Sequence, residues 1–351
     1  MTLDRKDKKP WVPPDPSMAQ LRAAITEYCV LPLGSPNVKA KLEGELDVKS
    51  IMFYGPSGAG KTMMVEAVAN ELGAMLINIS PERLKEATEF ADKKLGAARL
   101  CQIIYKIARE DPEVFPTGNP HGPVVVYMDE CEQFFAGGGK KAKVDKSGPI
   151  RFKKDITIYK NQGFKHNDRV IFIGCTSTPE KADKKDLKAF FDKFLYMPYP
   201  DYASRLMLWR QFVSMQLSLA GSGPGSSFQS RPLLAEIPDE FDLSTLARIS
   251  YGFSAGAICR CVKKTLTKSR VDRLDKRALT EDEFVNSLAL EASKRQANYT
   301  YAEDLERFNE FTAKITDLEE RRQLIEDEKA EGKDGGDKKG KGKKGKKGKK
   351  K

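Results

Sequence analysis

Ser50-Ile51-Met52-Phe53-Tyr54-Gly55-Pro56-Ser57-Gly58-Ala59-Gly60-Lys61-Thr62 is the stretch whose reading decides the fold. Ser50 to Tyr54 reads as a buried β-strand, Gly55 to Thr62 fits GxxxxGK[ST], and Lys61 to Leu72 has a helical pattern. Strand, glycine-rich turn and helix in that order form a cradle for phosphate groups. Gly58 and Gly60 let the backbone curl until successive N–H groups face one anion. The start of the helix adds positive potential. Lys61 would reach the β- and γ-phosphates, and the Thr62 hydroxyl would ligate Mg²⁺. Gly55, Pro56, Ser57 and Ala59 complete the loop. A chance glycine-rich turn is the plain alternative, and the flanking strand and helix weigh against it.

Outward from this stretch the alternation continues. Met75–Ile79, Val124–Met128, Val170–Cys175 and Phe194–Met197 read as strands, with a helix at Leu95–Glu110. Strands alternating with helices at these intervals predict an α/β fold with a parallel sheet. Val124 to Met128 is apolar throughout, as expected in the middle of such a sheet. Upstream, the pattern predicts a helix from the N-cap Ser17 to Val30, with Leu21, Ala24, Ile25 and Tyr28 on one face. Leu31-Pro32-Leu33-Gly34 reads as a break, followed by a short amphipathic turn around Val38 to Leu42. After Pro200 the strands stop. Tyr202–Ser218, Leu243–Ile249, Ala255–Leu274 and Glu281–Ala289 read as helices, interrupted by a Gly/Ser/Pro-rich loop from Ala220 to Pro232. The expected organisation is an extended, proline-rich lead-in over residues 1–17, an α/β domain over 18–198 and a smaller helical domain over 199–298. A charged amphipathic helix over 299–330 and a disordered Lys/Gly-rich tail over 331–351 follow.

Two further motifs fit the phosphate cradle. Val124-Val125-Val126-Tyr127-Met128-Asp129-Glu130 places two acids at a strand tip. On an adjacent parallel strand, Asp129 would hold Mg²⁺ through water and Glu130 would polarise an attacking water as general base. The strand Val170-Ile171-Phe172-Ile173-Gly174 runs into Cys175-Thr176-Ser177-Thr178-Pro179. Ser177 is the candidate polar sensor of that water, and an ordinary strand-to-loop turn capped by Ser or Thr is the competing reading.

The chain has 351 residues and a formal charge of +11, from 61 basic and 50 acidic side chains. Residues 338–351 hold ten lysines, four glycines and no acid, so residues 1–337 carry 51 basic and 50 acidic groups. The basic excess therefore belongs to one arm, and the near-neutral remainder gives no ground for nucleic-acid binding. Apolar residues make up 40% of the chain, enough for a sizeable core at a length that suits two domains. No run approaches roughly 18 apolar residues, so no membrane span is expected. Met1 to Trp11 is polar and charged, so no secretory signal is expected either. The six cysteines form no CxxC pair, and the only histidines are His121 and His166, so no zinc site is expected. The thiols are expected to be free, as in a reducing compartment. Cys259 and Cys261 point to different faces of a helix and read as packing residues.

These motifs, in this order, resemble the AAA family of ATPases over roughly residues 18–298. Leu31-Pro32-Leu33 with its short helix is similar to the family's lead-in. Phe191-Asp192-Lys193-Phe194-Leu195-Tyr196-Met197-Pro198-Tyr199-Pro200-Asp201 resembles the segment joining large domain to lid, and Gly252-Phe253-Ser254-Ala255-Gly256-Ala257-Ile258 the start of the lid helix near adenine. The resemblance implies a P-loop AAA domain, with its parallel sheet between helices, and a C-terminal helical lid. It also implies ATP or ADP with Mg²⁺ between them, and Met63, Ala255 and Gly256 near the base. The departures are specific. Leu187 and Phe190 stand where active rings carry two arginines that reach a neighbour's γ-phosphate, and Lys193 holds the third basic position. Such an arginine is worth orders of magnitude in rate. Ser177 replaces the first-sensor asparagine, and Glu82 to Phe90 replaces the aromatic pore loop of protein-threading rings.

A narrower resemblance, to the ciliary AAA proteins of the nexin–dynein regulatory complex, rests on several short motifs. They are Pro200-Asp201-Tyr202-Ala203-Ser204-Arg205 with Leu208, Trp209 and Gln211, Leu279-Thr280 before Glu283-Phe284, and Phe308 with Ala313-Lys314. It implies a structural, nucleotide-binding subunit of the axoneme of cilia or flagella, cytoplasmic and cytoskeletal, with other regulatory-complex and axonemal proteins as partners. It speaks against a homo-hexamer. No IQxxxRGxxxR segment occurs, so calmodulin binding through such a motif is not carried over. An active ATPase remodelling a protein client as a homo-oligomer is the alternative. The apolar stripe Leu305, Phe308, Phe311, Ile315 and Leu318 either packs within the chain or takes a partner helix. The tail over 338–351 reads as a solubilising arm or as a polybasic arm on an acidic polymer, which the resemblance makes the glutamate-rich surface of doublet microtubules. Nucleic acid is the lesser alternative, since lysine tracts contact phosphates without reading bases.

Overall fold

The computed structural model describes residues 14–42, 47–90, 92, 95–109, 122–136, 148–164, 168–220, 237, 241–274, 276–296 and 301–317. The expected lead-in, the Gly/Ser/Pro-rich loop, Leu318 and the Lys-rich tail lie wholly or mostly outside them. The described residues between Asp15 and Leu305 form one compact unit, and those from Glu306 onward belong to a second.

The chain enters through α1 (Met18–Ile25), closed by a capping box in which Ser17 and Gln20 exchange bonds. A π-helical turn at Thr26–Val30 carries it into α2 (Leu31–Gly34), and α3 (Pro36–Lys39) follows after Ser35. The break expected at Leu31 to Gly34 is therefore displaced to Ser35. The π-turn explains why: Leu31 N–H bonds to the Thr26 carbonyl, five residues back, and the widened turn accommodates Pro32.

A sheet of five parallel strands follows, in the order β2-β3-β4-β1-β5. In chain order its elements are β1 (Ser50–Tyr54), α4 (Lys61–Leu72), β2 (Met75–Asn78), α5 (Pro81–Glu86) and α6 (Gly96–Arg109), then β3 (Val124–Met128), α7 (Lys153–Ile158), β4 (Val170–Thr176), α8 (Lys184–Phe190) and β5 (Lys193–Tyr196). β1, β3 and β4 are buried along their whole length. On one face Ile51, Phe53, Val125, Tyr127 and Ile173 pack against Val65 and Val68 of α4 and against Ile25 and Cys29. On the other, Phe172 meets Phe164 and Phe190, and Phe190 stands edge-on to Phe191 with ring centroids 4.9 Å apart. Asp192 pins the start of β5 to that of β1. Its carboxylate accepts from the Lys49 and Ser50 N–H groups at 2.9 Å each and from Lys160 Nζ.

After β5 only helices follow among the described residues: α9 (Tyr202–Ala220), α10 (Leu243–Ile249), α11 (Ala255–Thr265), α12 (Lys268–Val271), α13 (Asp282–Gln296) and α14 (Tyr301–Ile315). A second hydrophobic cluster is built around Trp209, Phe284, Ile258 and Leu246, with the Trp209 indole donating to Ser250 Oγ at 2.9 Å. The single helix expected over Ala255–Leu274 is two. Leu266 leaves helical geometry (ψ 66°) with its side chain fully buried, and Thr267 in extended conformation starts α12. The first turn of α14 is fastened by aromatic contacts. Tyr301 stands edge-on to Tyr199 at 5.1 Å and Tyr251 at 5.2 Å, and Tyr199 Oη donates to Asp304 at 2.8 Å. Further along α14, Phe308, Phe311 and Ile315 are buried. No described helix is long and apolar enough to cross a membrane.

Candidate functional site

All five strands run the same way, so the loops after β1, β3 and β4 meet at one edge of the sheet. The glycine-rich loop leaves β1 there and turns into α4, with Gly60 in left-handed conformation (φ 98°) as its N-cap. Two glycines are demanded by their surroundings. A Cβ at Gly55 (φ 150°) would lie 2.1 Å from the Met197 carbonyl oxygen. One at Gly58 (φ 78°) would strike Ser254 Oγ at 2.8 Å, because the loop lies against the start of α11. There Gly256 N–H donates to the Gly58 carbonyl at 2.9 Å, and Ser254 caps α11 by accepting from Ala257 N–H.

Lys61 is buried, and its Nζ donates to the Gly55 and Pro56 carbonyls at 2.8 Å each. Burial pushes its ammonium down to about 8, against the pull of the Asp129 and Glu132 carboxylates. A cation held on carbonyl dipoles at the mouth of a loop is an anion receptor. Thr62, one residue on, is exposed and accepts from Tyr127 Oη at 3.1 Å. Burial pushes the Tyr127 phenol far up, so it remains a proton donor at neutral pH.

The strand order corrects one expectation. β3 is not adjacent to β1, since β4 lies between them. Asp129 still reaches the loop's surroundings because α4 leans across the sheet face and packs on β4 and β3. The Asp129 N–H donates to Ser80 Oγ at 2.9 Å, and its own carboxylate accepts from Glu130 N–H at 3.0 Å. Glu130 sits at φ 44°, ψ 44°, a left-handed conformation that costs a non-glycine residue on the order of 1 kcal/mol or more. Gln133 Nε2 donates to its carboxylate. Two residues on, buried Glu132 accepts from Thr178 Oγ1 at 2.9 Å, tying the turn after β3 to the loop after β4. Ser177 stands in that second loop.

These groups converge on a cavity of about 460 Å³ whose lining includes Ser57, Gly58, Lys61, Asp129 and Ser177. Gly60, Thr62, Met63, Glu130, Ala255 and Gly256 line it too. Gly55, Pro56 and Ala59 shape the loop from behind. Phe212 and Cys259 also line the cavity. Phe212 was not singled out from sequence, and Cys259, expected to be a packing residue, is only partly buried. Its position four residues after Ala255, on the same helix face, was the available signal. Nothing in the chain's pattern points to Phe212.

The donor set suits phosphate and a hard cation. A hydroxyl and a carboxylate are enough when phosphate oxygens and water complete the shell, and no described cluster of three or more His, Cys, Asp or Glu side chains forms a cage of its own. In contrast to this open edge, Leu187 and Phe190 on α8 are fully buried, and Lys193 Nζ stands 5.5 Å from the Tyr28 ring centroid.

The sequence profile of the ATPase family associated with various cellular activities (AAA) matches residues 51–199. The chain carries an AAA domain. A solved structure, the FIGL-1 AAA domain in complex with ADP, shares its fold at a TM-score of 0.51 and 19% identity, covering 82% of this chain and 90% of that one. Mouse (Mus musculus) Dynein regulatory complex protein 11 is 30% identical over 333 residues, 92% of this chain and 34% of the relative. A proteasome-activating nucleotidase of Saccharolobus islandicus is 24% identical over 290 residues, 81% of this chain and 63% of the relative. Its counterpart from Methanothermobacter thermautotrophicus is 28% identical over 242 residues, 67% and 50%. The chain thus spans about a third of the mouse relative and half or somewhat more of the archaeal ones.

Proposed function

We propose that this chain binds ATP or ADP in its AAA domain and serves as a structural subunit of the axonemal dynein regulatory complex, with hydrolysis weak or absent. The observation that carries this reading is the contrast between the loop and α8. The phosphate loop is seated with its cation, hydroxyl and acids in place, while Leu187 and Phe190 are turned into the core. On this reading the loop N–H groups and Lys61 hold the phosphates, and Met63, Phe212, Ala255, Gly256 and Cys259 flank the base. Thr62 and Asp129 would hold Mg²⁺, which when bound supplies charge neutralisation on the phosphate oxygens. Glu130 is positioned to take a proton from water, with Gln133 steadying its carboxylate and Ser177 facing the same cavity. Neither Leu187 nor Phe190 can bring positive charge to a neighbour's site, so on this reading proton transfer is available without the arginines that stabilise charge on the transferring phosphoryl. Bound nucleotide would join lid to sheet and stabilise the chain by mass action.

The similarity to Dynein regulatory complex protein 11 supports placement in the cilium or flagellum, among axonemal proteins. The charge of the tail over 338–351 supports contact with an acidic polymer, and the similarity to the regulatory-complex relative favours the doublet microtubule as that polymer. Its signature would be steep weakening with salt. The second reading, an active ATPase working as a homo-oligomer, is favoured by one observation, the intact Glu130 with its left-handed backbone.

One assay separates the two. Nucleotide retained through purification, with turnover flat as protein concentration rises, supports the structural reading. Turnover that climbs with oligomerisation and vanishes in Glu130→Gln overturns it.

A further inference from the structure

Tyr127 carries a buried hydroxyl where a phenyl ring would fill the same space. Its side chain packs with Val65 and Val68 beneath α4, and its Oη reaches polar partners, the Thr62 hydroxyl at 3.1 Å and the Asp129 carboxylate, which helps to raise the phenol. Burying a phenol is costly unless it is bonded, so these contacts are the reason a hydroxyl can stand there.

Its effect falls on Thr62. A helical threonine divides between two χ1 rotamers, because its hydroxyl can turn back to its own helix. The bond from Tyr127 selects one. A hydroxyl has one hydrogen and two lone pairs. Accepting from Tyr127 occupies one lone pair, which leaves the other as the only acceptor position and frees the hydrogen for donation. Thr62, Asp129 and Glu130 line both the 460 Å³ cavity and an adjoining one of about 440 Å³, which Tyr127 and Ser80 also line. Asp129 is steadied from below by Ser80, and Thr62 by Tyr127.

We propose that Tyr127 is a positioning residue that presents one Thr62 lone pair toward Asp129, so setting the affinity of the nucleotide site for Mg²⁺ while leaving the affinity for the nucleotide itself unchanged. The inference rests on the nucleotide-binding reading above. Partners of metal ligands typically change metal affinity by about 10- to 100-fold, and a single neutral hydrogen bond by about fivefold.

The test uses the full chain and Tyr127→Phe, titrated with fluorescent mant-ADP in EDTA and across a Mg²⁺ series. The expected result is equal affinity in EDTA, within about twofold, and a Mg²⁺ midpoint raised about five- to tenfold in the variant. The same shift should appear for Mn²⁺ followed by electron paramagnetic resonance, a spectroscopic readout that a merely structural role would not move. An unchanged Mg²⁺ midpoint overturns the inference. So does a loss of affinity that is equal with and without Mg²⁺, which would make Tyr127 a packing residue. Wild-type chain that binds no mant-ADP under any condition overturns the nucleotide reading itself, and is distinct from either result. Thr62→Ser supplies the second variant. Freed of its methyl group, the hydroxyl rotates more easily, so Tyr127→Phe should cost more on that background than on wild type.

Discussion

The glycine-rich loop and the α8–β5 segment lie along the same sheet, on the two strands β1 and β5, and they have opposite fates. Around the loop, polar groups face an open cavity: Lys61 on two carbonyls, Thr62 exposed, Glu130 held by Gln133. In α8–β5 the corresponding outward positions have become core. Phe190 packs among Phe135, Phe172 and Phe191, and Leu187 is sealed. Apolar residues at those positions are held by the packing of the sheet face, so they cannot be replaced by charge without cost. On the proposed reading, capture of a nucleotide and the stabilisation of its cleavage belong to separate segments, and one can be built into the core while the other stays intact.

The hardest blow to this contrast is Phe190→Arg. If α8 is committed to the core, an unpaired guanidinium among three aromatic rings should destabilise the chain by about 4 kcal/mol or more. Chemical denaturation measures it. A stable variant with raised ATP turnover would break the comparison, because the segment would then be a dormant site.

Next in size is Lys61→Ala on the open side. If Lys61 makes charge-assisted bonds to phosphate as proposed, removing it should weaken nucleotide binding by about 100-fold, read by calorimetric titration. The buried Gly55 and Pro56 carbonyls lose their donor, so chemical denaturation run in parallel establishes that the variant is folded. Affinity within a few-fold of wild type would mean that the loop is ornamental.

Glu291 tests whether the lid supports the loop. Its side chain is 2% exposed and meets Arg260, Lys264 and Lys294. Burial by itself would raise the carboxyl, and the three cations outweigh it and hold the group down to about 2. A folded value below the unfolded one contributes stability that is complete above about pH 4.5 and lost as pH falls toward 2. Glu291→Gln should therefore cost on the order of 2 kcal/mol at pH 7, discounted for the exposed cations, and nothing near pH 2. Urea titrations across that range would show the two curves converging. Because α11 carries both Arg260 and Gly256, parallel nucleotide titrations would show how far the loop depends on the lid.

Much of the open side was legible in the chain itself. β1, the glycine-rich loop, α4 and β3 fall at their expected bounds, because continuous apolar runs and a glycine cluster are local signals. The resemblance already marked Leu187 and Phe190 as departures, and their burial supplies the reason that no arginine stands there. What escaped was non-local. Nothing in sequence says that β4 inserts between β1 and β3, so Asp129 was expected on a neighbouring strand. The π-turn at Thr26–Val30 depends on how one helix absorbs Pro32. Phe212 and Cys259 belong to the cavity only because α9 and α11 are packed over the loop, and the Tyr127–Thr62 bond joins residues whose helix and strand meet only in three dimensions.

The smallest expected effect is the most local. Ser254→Ala removes the hydroxyl that caps α11 and leaves both partners of the Gly256 N–H to Gly58 carbonyl bond in place. Loss of an N-cap costs about 1 kcal/mol, and that should lower the melting temperature by about 2 °C in a chain of this size. Nucleotide binding reports on more. The Gly256 N–H that bonds Gly58 lies in the first turn of α11, the turn that the cap orders. If the loop is held by the lid, affinity should fall in step with the lost cap, by about fivefold for 1 kcal/mol. If affinity stays level while the melting temperature drops, the loop holds its shape from β1 and α4 alone. The division between a binding segment and a core segment would then be complete within the α/β layer, with the lid acting only as a cover.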